Sequence, residues 1–249
     1  MVMFYFSGTG NSKYIAELFC QNMDAVAHSI EETVDFESLI GGEEVIGFCY
    51  PVYMSRVPRI MREFVAQNMA ALVDKKVIIF CTQWLLSGDG ARTFTTLFPK
   101  RHIQVIYAEH FLMPNNVSNM FVLPMDSDKR IEKRIEKAQH RIQAVCRNIE
   151  NGIIRKRGFS AVSRVLGLFQ GIFLSMVEKR ANKSIKVTSD CTKCGICVSI
   201  CPMANLVLNS DTITHTHNCT MCYRCINQCP PKAITVVFHG KVKKQYQFS

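Results

Sequence analysis

Eight cysteines in two matching runs restrict what this chain can fold into more than any other feature. Residues 191–202 read CTKCGICVSICP and residues 219–230 read CTMCYRCINQCP. Each is C-x2-C-x2-C-x3-C-P, and the second begins 28 residues after the first. The repeat continues past the prolines, where Leu206 and Leu208 align with Ile234 and Val236 in an alternation suited to short strands. Three cysteines at this spacing can wrap a loop around one cubane and offer thiolates to three of its corners. The proline ends that turn and sends the fourth thiolate toward a neighbouring cluster. Zinc needs four ligands, typically in C-x2-C pairs, and leaves a rhythm of eight unexplained. Disulfides fail on compartment and on crowding. The two runs therefore predict two iron–sulfur clusters.

The rhythm resembles the bacterial double-cluster ferredoxin run, in which the fourth cysteine of each motif ligates the other cluster. On that resemblance Cys191, Cys194, Cys197 and Cys229 hold one [4Fe–4S] cluster. Cys219, Cys222, Cys225 and Cys201 hold the second. The second motif carries Tyr223 and Arg224 where the first has Gly195 and Ile196, so the two clusters are expected to differ in potential.

At the other end, MFYFSGTGNSKYIAELF (residues 3–19) is an apolar run, a small-residue loop and a helical pattern. Gly8 and Gly10 permit close backbone approach, and Ser7, Thr9, Asn11 and Ser12 add side-chain donors ahead of a helix N-terminus. An anion is the expected guest. An ATP-binding loop would read G-x-x-x-x-G-K-[ST], and here the lysine is misplaced. A dinucleotide loop would carry a third glycine and an acid about twenty residues on, and neither is convincing. Two glycines among hydroxyls suit one dianionic phosphate wrapped on several sides; a turn that binds nothing is the alternative.

Up to about residue 152 the chain alternates in the βα manner, which predicts a doubly wound α/β fold, a five-stranded parallel sheet with helices on both faces. The expected strands are 1–6, 25–29, 44–50, 76–82 and 102–110, and the expected helices 11–23, 58–69, 89–98 and 127–151. Ligands of such sheets bind beyond the carboxyl ends of the strands. Three loops fall there: YPVYMSRVP at 50–58, TQWLLSGDG at 82–90 and FLMPNN at 111–116. The first two offer aromatic residues and turn formers of the kind an isoalloxazine ring needs, with Tyr53 and Trp84 as stacking candidates beside Pro51, Val52, Thr82, Gln83, Gly88, Asp89 and Gly90. Asp89 is either a turn former or a charge that disfavours an anionic reduced flavin.

S-G-T-G-N-S at 7–12 is similar to the flavodoxin phosphate loop, with Ser12 where many flavodoxins have Thr. A flavodoxin-like head before a double-cluster tail resembles the flavodoxin–ferredoxin fusion proteins of anaerobic bacteria. The likeness covers 1–125 and 185–238. It implies FMN held by the loops at 7–12, 50–56 and 82–90, and a small α+β cluster domain at the end. The domains expected are 1–152, a connector at 153–184, and 185–249.

The connector resembles neither parent. RKRGFSAVSRVLGLFQGIFLSMVEKR (155–180) is apolar at helical spacing between basic flanks, and its uncharged core, 165–177, is too short to span a bilayer. It reads as a linker helix packed between modules, or as a helix that meets an anionic membrane surface or a partner. Residues 1–150 carry a net charge of −1 and residues 151–249 one of +11. Cluster thiolates would remove much of that excess, so nucleic acid is not the expected partner. No signal peptide is evident, and a cytoplasmic protein is expected. Cys20, Cys49, Cys81 and Cys146 lack ligand spacing and read as buried small hydrophobes. His215 and His217 read as an exposed pair rather than a metal site.

No nucleophile, triad or general acid–base pair appears, and no NAD(P)H fingerprint. The expected function is electron transfer between two [4Fe–4S] clusters and FMN, with a redox protein or small molecule as donor or acceptor and a homodimer allowed. The alternative is a ferredoxin-linked flavin reductase acting on a quinone, nitro compound or other small acceptor.

Overall fold

The computed structural model describes residues 1–98, 102–120, 123–210 and 212–248. Strands β1 (Val2–Tyr5), β2 (Val26–Ser29), β3 (Val45–Pro51), β4 (Lys76–Gln83), β5 (Gln104–Leu112) and β6 (Arg155–Lys156) form one sheet in the order β2-β1-β3-β4-β5-β6. Every neighbouring pair is parallel. The first five strands follow one of the two common doubly wound orders, whose ligands sit where the order reverses, between β1 and β3. The sheet has six strands rather than the expected five. The sixth is a two-residue Arg–Lys strand at the edge, too short and too polar to show as an apolar run.

Helices α1 (Asn11–Asn22), α2 (Phe36–Gly41), α3 (Arg59–Gln67), α4 (Met69–Leu72), α5 (Gly90–Thr95) and α6 (Asp128–Glu150) cover both faces. Side chains alternate along each strand, so the head has two apolar layers. Phe4, Phe48 and Ile79, adjacent across β1, β3 and β4, pack against Ile40, Met61, Phe64 and Phe94 of α2, α3 and α5. Met3, Tyr5, Cys49 and Phe80 face the other way, onto Ile15 and Phe19 of α1 and Ile142 and Val145 of α6. The expected 58–69 helix divides at Asn68 into α3 and α4, and α2 is an addition whose N-cap is Asp35, accepting from the Ser38 N–H. The four cysteines outside the motifs are all buried.

Beyond β6 the connector is helical from Ala161 to Lys183, with a turn at Phe173. α7 (Ala161–Ile172) and α8 (Leu174–Lys183) run on through Phe173 as one stretch of 23 residues, Ala161–Lys183. By length and composition alone this stretch is long and apolar enough to cross a membrane, although its uncharged core is limited to 165–177, and only 11% of its apolar window is buried. Its inner side is held by the head. A Cβ on Gly167 would collide with the Asp89 carboxylate, and one on Gly171 with the Arg56 guanidinium.

The tail contains β7 (Lys186–Val187), α9 (Ile196–Ser199), β8 (Leu206–Leu208), β9 (Ile213–His215), α10 (Arg224–Asn227) and β10 (Ile234–Thr235). β7 pairs antiparallel with β10, and β8 with β9. The sequence repeat is also a backbone repeat. Lys193 and Met221, Gly195 and Tyr223, and Ala204 and Lys232, each 28 residues apart, share left-handed conformations. Ile213, Ile226 and Ile234 form the tail's core together with Leu174 and Ala181 of α8.

Candidate cofactor sites

The cysteines gather around two small cavities. Cys191, Cys194, Cys197 and Cys229 line one, and Cys201, Cys219, Cys222 and Cys225 line the other. Each cavity thus takes three cysteines from one motif and the fourth from the other. Among the described residues no three His, Cys, Asp or Glu converge tightly enough for a single metal ion. The cavities differ in exposure: Cys194 is exposed, whereas Cys222 lies at 8% and packs into the head's own core. Burial pushes the Cys219 thiol up to about 11 and the Cys222 thiol up to about 12. Such sulfurs stay protonated unless a bound cation draws them into thiolate form.

The 7–12 loop joins β1 to α1. Gly10, at φ 96°, caps α1, and its N–H donates to the Ser7 Oγ at 3.1 Å. The Ser12 and Thr82 hydroxyls lie 2.7 Å apart and tie the loop to the end of β4. The Asn116 amide donates to the Thr9 Oγ1 at 3.1 Å, and the Asn11 amide to the Pro114 carbonyl at 3.0 Å. Three strand-end loops are therefore bonded to one another around the helix N-terminus, where unpaired N–H groups favour an anion.

The tail closes over this loop. The Arg224 guanidinium donates to the Ser7 carbonyl at 2.8 Å and the Gly8 carbonyl at 3.3 Å, and pairs with both oxygens of Glu31. A Cβ on Gly8 would collide with the Cys222 carbonyl, so only glycine permits this approach. The chain's last residues cross the same loop: the Phe248 N–H donates to the Thr9 carbonyl at 2.8 Å, and the Tyr246 hydroxyl to the Asn11 Oδ1 at 2.7 Å.

Between head and tail lies a cavity of about 390 Å³, within the range of small-molecule and cofactor sites. Ser7, Thr9, Asn11, Ser12, Pro51, Val52, Tyr53, Thr82, Gln83 and Trp84 all line it. The Tyr53 hydroxyl and the Gln83 Oε1 are buried without a hydrogen-bond partner among the described residues, as expected of groups that meet a polar ligand. A glycine-rich helix N-terminus, two aromatic walls and unpaired polar atoms on one cavity fit the phosphate and ring of FMN.

Gly10, Gly88, Asp89 and Gly90 are not on that wall. Asp89 is fully buried behind it, paired with Arg56 at 2.9 Å and with Arg92. Two guanidiniums offset its charge, and through Arg56 it ties the 82–90 loop to the 50–58 loop. The Gly88 N–H donates to the Ser55 Oγ at 2.6 Å, and Ser55 in turn bonds Gln170 of α7. Sequence reasoning did not single out the far walls, where Gln170, Leu174 and Val177 come from the connector and Met221, Tyr223 and Phe238 from the tail. The Tyr223 and Arg224 departure from the first motif was the available signal. His217 Nδ1 lies 2.7 Å from the Asn182 carbonyl, and its ring meets His215 edge-on.

The family described as "Flavodoxin domain" matches residues 2–118, and "4Fe-4S dicluster domain" matches residues 183–230. Among solved structures, the two-electron reduced flavodoxin of Megasphaera elsdenii is 18% identical, covering 57% of this chain and 99% of its own, with a TM-score of 0.39. Oxidised flavodoxin 2 from Bacillus cereus is 18% identical, covering 59% and 97%, with a TM-score of 0.39. General stress protein 14 from Treponema denticola, in complex with FMN, is 12% identical, covering 58% and 95%, with a TM-score of 0.42. No curated protein matches. Residues 2–118 thus match a flavodoxin domain and residues 183–230 a 4Fe-4S dicluster domain, the order of a flavodoxin–ferredoxin fusion.

Proposed function

We propose that this flavodoxin–ferredoxin fusion passes electrons between two [4Fe–4S] clusters and an FMN held in the cavity between head and tail. The observation that carries the reading is the direct packing of the second cysteine loop on the phosphate loop at Gly8 and Cys222. Met221 and Tyr223, from inside the second motif, complete the cavity that Ser7–Ser12 begin. Clusters exchange single electrons and FMN one or two, so the pair couples one-electron traffic to a two-electron donor or acceptor.

The residues divide the work. The 7–12 loop and the N-terminus of α1 hold the phosphate, and Tyr53, Gln83 and Trp84 orient the ring. Cys201, Cys219, Cys222 and Cys225 hold the inner cluster, and Cys191, Cys194, Cys197 and Cys229 the outer one. The outer set, with Cys194 exposed, is the port for a redox partner. Purified holoprotein is expected to contain about eight iron, eight sulfide and one FMN per chain. Cys201→Ala and Cys219→Ala should remove the same EPR signal and Cys191→Ala the other; loss of one signal in all three would refute the crossed assignment.

A second reading, a flavin reductase for a small acceptor, draws on Leu85 and Leu86, which line the cavity and are 58% and 59% exposed. They give an apolar molecule a way in. Steady-state turnover of a quinone or nitro compound with ferredoxin or dithionite as reductant decides between carrier and enzyme.

A further inference from the structure

We infer that the outer face of α7 and α8 is a docking surface for an anionic phospholipid bilayer, on which the helix lies without crossing it. Surface helices of soluble proteins turn polar residues to water. This one does the reverse. Gly167 and Leu174 face the protein, while Val162, Val165, Phe169, Ile172, Phe173 and Met176 are between 51% and 79% exposed. Their positions follow i, i+3, i+7, i+10, i+11 and i+14, one continuous stripe over more than four turns. An exposed apolar patch of this extent marks a contact surface.

Charge identifies the contact. Between residues 153 and 187 the chain has eight Lys or Arg and a single acid, Glu178. Glu178 is already paired with Arg62, at 2.9 Å. Lys156, Arg164, Lys179, Arg180 and Lys183 are exposed and flank the stripe at both ends. Apolar residues bounded by lysine and arginine match an anionic headgroup layer over acyl chains. A crossing helix would be surrounded by lipid, but this helix is fastened along its inner side. Gly167 abuts Asp89, Gln170 accepts from the Gly88 N–H at 3.3 Å, and Glu178 holds Arg62. It has one free side, as an interfacial helix has. Gln170, Leu174 and Val177, on the inner side, line the large cavity, so the docked helix would stand between that cavity and the bilayer.

The test is flotation of the holoprotein with vesicles of phosphatidylcholine, alone or mixed with phosphatidylglycerol, at low and high salt. Binding to the mixed vesicles is expected, about tenfold weaker without phosphatidylglycerol or at high salt. The double substitution Phe169→Glu, Ile172→Glu should abolish it while flavin and cluster absorbance stay unchanged. Should that variant lose its cofactors, Val162→Ser with Val165→Ser, at two exposed sites, should still weaken binding. No flotation with the anionic vesicles would overturn the inference, as would binding that survives both substitutions. A wild-type dimer that Phe169→Glu, Ile172→Glu converts to monomer, with no vesicle binding, would give the face to a second copy of the chain. None of these readouts depends on electron transfer.

Discussion

Arg224 joins parts of the molecule that lie more than two hundred residues apart in sequence. One guanidinium bonds the Ser7, Gly8 and Ile200 carbonyls and the Glu31 carboxylate. Arg224→Ala is expected to cost about 1.5–3 kcal/mol, the range for hydrogen bonds to a charged group, measured by denaturant unfolding. Arg224→Lys should recover little, because an ammonium cannot reproduce the fork. Beside it, Tyr223 holds φ 61° where the first motif has Gly195 at 75°. A left-handed tyrosine costs about 1–2 kcal/mol, and its return is the ring in the cavity wall. Tyr223→Gly should therefore weaken FMN binding without lowering iron content, read by flavin titration and iron analysis. His110 gives a pH dependence. It is buried, and desolvation, helped by the charge of Arg157, lowers its pKa from 6.5 to about 4. Below pH 6.5 the unfolded chain takes up a proton that the folded chain refuses until about pH 4. Stability from this group is thus complete above 6.5 and falls as pH drops toward 4, by up to about 3 kcal/mol. His110→Gln should flatten the difference in unfolding free energy between pH 7 and pH 5.

At the scale of elements, the last residues form a strap. Gln245 donates to the Ile226 and Cys229 carbonyls, Tyr246 and Phe248 reach Asn11 and Thr9, and the Phe248 ring lies 4.4 Å from that of Tyr14. Deleting residues 245–249 should speed FMN release about tenfold, the equivalent of one or two lost hydrogen bonds. Flavin fluorescence after dilution measures the rate. The strap also shows what sequence could not reveal. The long strands and α1, α3 and α6 were legible because their apolar periods are long and regular. The cysteine rhythm predicted two clusters, the resemblance to double-cluster ferredoxins implied the crossed sets, and each set lines one cavity. Four of the expected FMN residues, Gly10, Gly88, Asp89 and Gly90, lie off the wall. Locally, a turn's glycines and acid look alike whether they face a ligand or brace the loop from behind. The strap, the connector's inner side and the tail's share of the cavity depend on contacts between distant segments. Their residues, such as Gln170 and Phe248, carry no local pattern that announces a partner.

At the scale of the whole molecule, head, connector and tail share their interfaces. Leu174 and Ala181 of the connector sit in the tail's core, Cys222 in the head's, and the Asn227 amide bonds the Asn116 carbonyl at 2.8 Å. Two carriers on a loose tether would exchange electrons by collision, whereas modules docked in this way hold a fixed separation. The most direct measurement is rapid mixing of the oxidised holoprotein with excess dithionite, following cluster bleaching and flavin reduction at several protein concentrations. A built-in path predicts that flavin reduction follows the clusters with a rate constant independent of protein concentration. A flavin rate rising in proportion to protein concentration would mean exchange between molecules and would contradict it.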